Sequence, residues 1–217
     1  MKKIGILGSG SVATTLADGF LKHGHAVMLG TEHPAKLTDW QAKAGSSGQV
    51  GSFAQAAAYG ELLVLAVKGH VAAHLLRTLD PATVAGKTVL DTTNPIDDAQ
   101  PPQNGVLRYF TNFDESLLEQ SQQAQPGAHL VKAFNSIGAG QMVNPDYGGS
   151  TPSMFICGND DGAKAEASEL IRAFGFEPED MGGVEAARAI EPLCMLWCIP
   201  GFRHNQWTHA FKLLKKE

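Results

Sequence analysis

The order of the first thirty residues constrains this chain most. Lys3–Leu7 is a short apolar run, and Gly8-Ser9-Gly10-Ser11-Val12-Ala13 follows it directly. A helical pattern then continues to about His23, and a second apolar run covers Ala26–Gly30. Strand, glycine turn, helix and strand make a βαβ unit with G-x-G-x-x-A at its turn. Gly8 permits the sharp passage from strand to helix. Gly10 has no Cβ, so the backbone can approach a pyrophosphate, and Ala13 is small enough for helix and strand to pack closely. A helix opening near Ser11 directs free N–H groups and its positive dipole end at such a phosphate. The pattern predicts a dinucleotide site; a glycine turn without a ligand is the plainer alternative.

The rest of the chain alternates strands and helices. That predicts an α/β fold, Rossmann-like and doubly wound, with a mostly parallel sheet and a small C-terminal helical part. A helix is expected over residues 34–43, a short strand over 49–51 and helical turns over Phe53–Tyr59. Residues 62–67 are an unbroken apolar run, as a strand buried on both faces requires. Residues 70–79 read as helix, 87–91 as strand, and 96–109 as loop because of Asp97-Asp98 and Pro101-Pro102. Asn112-Phe113-Asp114-Glu115 resembles a capping box opening a helix to about Gln123. Strands are expected over 129–134, 154–157 and 177–181, with a helix over 160–174. From Val184 a helix should run to Trp197, kinked or broken at Pro192, followed by a break at Pro200-Gly201 and a last helix over 204–214. The expected division is a dinucleotide-binding part, residues 1–183, and a helical segment, 184–217, that packs on it and closes its cleft.

A net charge of −5 with few basic residues argues against a nucleic-acid or anionic membrane surface. The apolar runs are too short to span a bilayer. Met1-Lys2-Lys3 with the first apolar run is too short for a signal peptide and ends in the phosphate turn, so a cytoplasmic protein is expected. Three cysteines without C-x-x-C suit a reducing compartment. Cys194 and Cys198 stand at i, i+4 with His204 and His209 beyond. A metal or redox pair is one reading of them; small buried apolar thiols are the plainer one.

The chain resembles the NADP oxidoreductases that use the deazaflavin coenzyme F-420, and the related cytosolic module of the six-transmembrane ferric reductases. The likeness is carried by residues 4–13 and 27–36, by Asp91-Thr92-Thr93-Asn94-Pro95 and by Val131-Lys132-Ala133-Phe134-Asn135. It continues in Ile156-Cys157-Gly158-Asn159-Asp160 and Asp180-Met181-Gly182. It implies NADP lying over the strand ends, with a hydride acceptor stacked on the nicotinamide. Gly8, Ser9, Gly10, Ser11 and Val12 fall at the pyrophosphate, and Thr31, Glu32 and Lys36 at the 2′-phosphate positions. Glu32 departs from the pattern, because the family usually has arginine there. A carboxylate repels a 2′-phosphate and suits a ribose 2′-OH, so NADP is expected and NAD stays open. Glu32 and Lys36 also have the spacing of a solvated i, i+4 pair.

Further candidates lie where strands end. Ala66, Val67 and Lys68 close the fourth strand, and Lys68 and His70 are the candidate acid–base groups; otherwise they make a polar start to the next helix. Asn94-Pro95 and Asn135-Ser136 end the fifth and sixth strands, where an amide can bond a nicotinamide carboxamide or hold a loop. Ala133, Phe134 and Ile137 are candidate apolar walls. Hydride transfer between flat rings needs stacking, orientation and water exclusion more than acid–base help. The expected reaction is therefore hydride transfer between NADP(H) and a planar acceptor such as a deazaflavin or flavin. Reduction of a small carbonyl or imine is the alternative, although enzymes of that kind carry a long helical second domain that the stretch after Val184 is too short to supply. A non-catalytic NADP(H)-sensing module is a third possibility. The other expected partner is a second copy of the chain, in a homodimer using the apolar tail.

Overall fold

The structure is a computed structural model and describes residues 1–216; Glu217, the last residue of the expected C-terminal segment, lies outside them. Strands β1 (Lys3–Leu7), β2 (Ala26–Gly30), β3 (Gly48–Gly51), β4 (Leu62–Leu65), β5 (Thr88–Asp91) and β6 (His129–Lys132) form one parallel sheet. Its order is β3-β2-β1-β4-β5-β6. The chain leaves β1 through α1 (Ser11–Lys22) toward β2, and leaves β4 through α4 (Gly69–Thr78) toward β5. The order of strands therefore reverses between β1 and β4, the place where an open parallel sheet binds ligands in a crevice outside the carboxyl ends.

Burial explains why the central strand β4 is apolar throughout. All four side chains of Leu62–Leu65 are inaccessible. Ile4, Ile6, Leu62 and Val64 face one core with α1 and α7 (Asp161–Ala173). Leu7, Leu63 and Leu65 face the other, with α3 (Phe53–Tyr59), α4 and α6 (Leu117–Ala124). Alternate residues thus serve opposite faces, and neither face tolerates a polar one. Two short helices, α2 (Thr38–Ala44) and α5 (Pro81–Val84), complete this part. Strands β7 (Ser153–Ile156) and β8 (Glu177–Asp180) pair in parallel, and the Lys132 N–H bonds the Cys157 carbonyl to join them to β6.

Two expectations are corrected. The helix after the long loop is not opened by Asn112. The Asn112 side chain accepts from the Asp114 and Glu115 N–H groups in a local turn, and the capping box is Ser116 with Glu119, four residues later. The C-terminal segment does not break at Pro200-Gly201 either. Helix α8 (Ala187–His204) runs through both Pro192 and Pro200 and ends at Asn205 in the left-handed conformation. Residues 205–216 contain no helix. Gly201 serves close approach instead of chain breaking: a Cβ there would lie 2.2 Å from the Trp207 ring. The tail folds back over α8, with Trp197 Nε1 donating to the His209 carbonyl, and then runs beside β7, where the Ser153 N–H bonds the Phe211 carbonyl.

Candidate dinucleotide site

The turn after β1 sits at the crevice. Gly8 has φ +150° and its N–H bonds the Gly30 carbonyl, which ties the ends of β1 and β2 together. A Cβ on Gly8 would lie 2.2 Å from the Ala66 carbonyl oxygen at the end of β4, so only glycine fits. Gly10 differs: it is exposed, and nothing lies within 4 Å of where its Cβ would be. Gly10 is the N-cap of α1, with no side-chain cap and no acidic residue in the first turn. The twelve-residue helix α1 therefore presents uncapped N–H groups to open space, the arrangement that binds phosphate. Ser11 is exposed, Val12 half-buried and Ala13 fully buried under the turn.

At the end of β2, Thr31 is buried. Its hydroxyl donates to Ser9 Oγ and accepts from the His33 N–H, which fixes Ser9 beside the turn. Glu32, His33 and Lys36 are exposed, and Glu32 and Lys36 form no ion pair among the described residues. The solvated-pair reading thus lacks its contact, and both side chains are open to solvent.

The end of β4 supplies Ala66 and Val67, both half-buried, and Lys68, the exposed N-cap of α4. Lys68 Nζ lies 2.7 Å from Asp98, and His70 Nδ1 lies 4.0 Å from the same carboxylate. Asp98 had no assigned role in the sequence; the long loop brings it back over α4. His70, Ile96, Asp98 and Phe110 line a cavity of about 370 Å³ on this edge.

Asn94 and Asn135 hold each other. Asn94 Nδ2 donates to the Asn135 carbonyl, and Asn135 Nδ2 donates to Asn94 Oδ1 and to the Ile190 carbonyl of α8. Pro95 is buried beside them, and its carbonyl accepts from the Phe110 N–H. Asn135 is 3% exposed, yet its Oδ1 has no partner. Ala133 and Phe134 are sealed in the core, where Phe134 packs against Phe174 and Phe176, and Ile137 is buried nearby.

Sequence reasoning missed the charged centre beneath this edge. Asp91 and Lys132 are register partners at the ends of β5 and β6 and are wholly inaccessible. Lys132 Nζ lies 3.0 Å from Asp91, 2.9 Å from Glu191 of α8 and 2.9 Å from the Thr93 carbonyl. Burial works against the charge on Lys132, but the two carboxylates outweigh it and hold its pKa above the ordinary lysine value. Cys157, just beyond β7, is pushed up to about 12 by the same burial. The available signal was two successive short buried strands, each ending in a charge of opposite sign. Cys194 is buried, His209 is used against Trp197, and no cluster of three metal-ligating side chains occurs among the described residues.

A family model described as "NADP oxidoreductase coenzyme F420-dependent" matches residues 3–95. The crystal structure of a provisionally assigned F420-dependent NADP-reductase from Arthrobacter sp. FB24 superposes with a TM-score of 0.91 at 31% identity, covering 99% of this chain and 100% of that one. The chain belongs to this family. Its members are NADP-dependent oxidoreductases by that description, which agrees with the open phosphate turn. Rat metalloreductase STEAP3 is 31% identical over 202 residues, 91% of this chain, and this chain spans 38% of its length. A reductive aminase from Aspergillus terreus, solved with NADPH and ethyl levulinate, has a TM-score of 0.66 at 18% identity over 93% of this chain and 62% of that one, a likeness of fold. No described helix is long and apolar enough to cross a membrane.

Proposed function

We propose that this family member binds NADP(H) across the carboxyl ends of β1 and β4 and passes a hydride between its nicotinamide and a planar acceptor, a deazaflavin or a flavin. The observation that carries the reading is the uncapped start of α1 behind Gly8-Ser9-Gly10, with open space where a Gly10 side chain would stand. Gly8, Ser9, Gly10, Ser11 and Val12 hold the pyrophosphate. Thr31 and Lys36 hold the 2′-phosphate, with Glu32 weakening the preference over NAD. Ala66, Val67 and Lys68 flank the crevice from the side of β4, while Asn94, Pro95, Ala133 and Asn135 back the nicotinamide end.

The cavity beside His70 and Phe110 lies next to that end and has room for part of a flat ring system. Phe110 offers a stacking surface, being 43% exposed. Transfer between two rings requires that they be stacked and dry, which this apolar wall assists. The Lys68–Asp98 pair and His70 form the polar rim; they orient the acceptor and carry no obligatory proton. Helix α8 meets the same edge through the Ile190 and Glu191 carbonyls and closes the cleft, and its exposed Leu196 and Phe202 are the surface through which two copies pair. The reading is tested by titrating the protein with NADPH and NADH, then screening deazaflavin, FMN, FAD and ferric chelates for loss of reduced-nicotinamide absorbance. Oxidation of NADPH by the ring acceptors is expected. No oxidation by any ring acceptor would refute the reading.

A further inference from the structure

The buried charges beneath the cofactor edge form part of a closed circuit. Lys132 Nζ donates to the Thr93 carbonyl, while the Thr93 N–H and hydroxyl donate to Asp91 Oδ1 at 2.8 and 2.7 Å. Asn94, the next residue, is bonded to Asn135, and Asn135 to the carbonyl of Ile190. Glu191, the residue after that, returns to Lys132 at 2.9 Å and also accepts from the Leu117 and Leu118 N–H groups at the start of α6. The Tyr109 hydroxyl adds a bond to the Glu191 carbonyl. The ends of β5 and β6 and one turn of α8 are thereby fixed to one another.

Stability does not account for such a device. Replacing a buried ion pair by apolar side chains of similar size is often neutral or favourable, because desolvation offsets the attraction. What charges in a closed circuit provide is geometry, since each partner has one position that satisfies it. The circuit leaves a single polar atom unmatched, Asn135 Oδ1. The orientation of that amide is set by its neighbours: its nitrogen faces two acceptors, so its oxygen is the end left buried without a partner.

We propose that Lys132, Asp91 and Glu191 are positioning residues that hold the Asn94–Asn135 pair so that Asn135 Oδ1 accepts the carboxamide N–H of the nicotinamide. This rests on the dinucleotide reading given above. It makes α8 a side of the nicotinamide seat, connected to it through Glu191. Glutamine at position 191 cannot reproduce the site, because three donors converge on its two side-chain atoms and only one of those would accept.

The test compares three ligands by calorimetry: NADP+, its 3-acetylpyridine analogue, which lacks the amide N–H, and 2′,5′-ADP, which lacks the ring. Wild-type protein should prefer NADP+ over the analogue by about tenfold, the scale of one hydrogen bond. Glu191→Gln should erase that preference and leave 2′,5′-ADP affinity unchanged, while Glu191→Asp, which keeps the charge, should restore part of it. Equal binding of NADP+ and the analogue by the wild type overturns the proposal. So does a folded Glu191→Gln protein that keeps the preference or weakens all three ligands alike. Should Glu191→Gln not fold, Glu191→Asp decides: a preference equal to wild type overturns the proposal, and a reduced one supports it. A wild-type chain that binds none of the three overturns the dinucleotide reading itself, and this proposal with it.

Discussion

The two glycines of the turn separate folding from binding, and a pair of substitutions exposes the difference. At Gly8 the backbone has φ +150°, and an alanine Cβ would meet the Ala66 oxygen at 2.2 Å and its carbonyl carbon at 2.8 Å. Both atoms are backbone, so relief requires β1 and β4 to part. The strained dihedral costs about 1–3 kcal/mol and the overpacking about 1–3 more. For a chain of this size that lowers the melting temperature by about 5–20 °C. At Gly10 the backbone is extended, with φ −83° and ψ −176°, and the Cβ position is open. Gly10→Val therefore costs at most about 1 kcal/mol, for the poorer N-cap, and shifts the melting temperature by no more than about 4 °C. Its side chain nonetheless fills the space a pyrophosphate needs, and NADPH affinity should fall by about a hundredfold or more. Thermal melts with a fluorescence titration of NADPH check both halves. Gly10→Val protein that binds NADPH normally would refute the phosphate assignment, and Gly8→Ala protein as stable as wild type would refute the packing argument.

Glu32→Arg should raise the preference for NADPH over NADH, read as the ratio of the two dissociation constants; an unchanged ratio would place Glu32 outside the ribose site. Gly201→Ala should displace Trp207, whose ring lies 2.2 Å from the new Cβ, and release residues 205–216. Faster proteolysis after Arg203 and a red-shifted tryptophan emission would report it. The Arg188 guanidinium, assisted by the Ser116 N–H and hydroxyl, holds the Glu119 carboxyl well below its ordinary 4.5, at about 2. That contribution is present above pH 4.5 and is lost as pH falls toward 2. The stability gap between wild type and Arg188→Met should therefore close across that window in urea melts. The gap is small throughout, because solvent reaches the half-buried arginine and screens the pair.

Much of this molecule is legible in its sequence, for physical reasons that differ by element. Lys3–Leu7, Ala26–Gly30 and Phe53–Tyr59 have the predicted bounds because apolar runs between glycines leave a buried parallel strand or a short capped helix few choices. Pro200-Gly201 misled, since proline and glycine stop most helices. Here the glycine answers to Trp207, a contact six residues on that exists only once the tail has folded back. Asn112 satisfied the letter of a capping box, but Ser116 stands where Glu191 can also reach the start of the helix. The charged centre escaped for a related reason. Asp91 and Lys132 are forty-one positions apart and meet only through the register of β5 and β6, and Glu191 joins them from the far end of the chain. Local pattern reveals strands and turns, whereas partners fixed by topology need the fold.

The most direct measurement is transfer of label from NADPH carrying deuterium at both hydrogens of nicotinamide C4 to a 5-deazaflavin, whose reduced C5–H does not exchange with water. The account predicts one deuterium at C5 of the reduced deazaflavin for each NADPH oxidised, and loss of both oxidation and label in Gly10→Val protein. Oxidation of NADPH by the deazaflavin without deuterium at C5, or no oxidation by the deazaflavin, FMN or FAD, would contradict it.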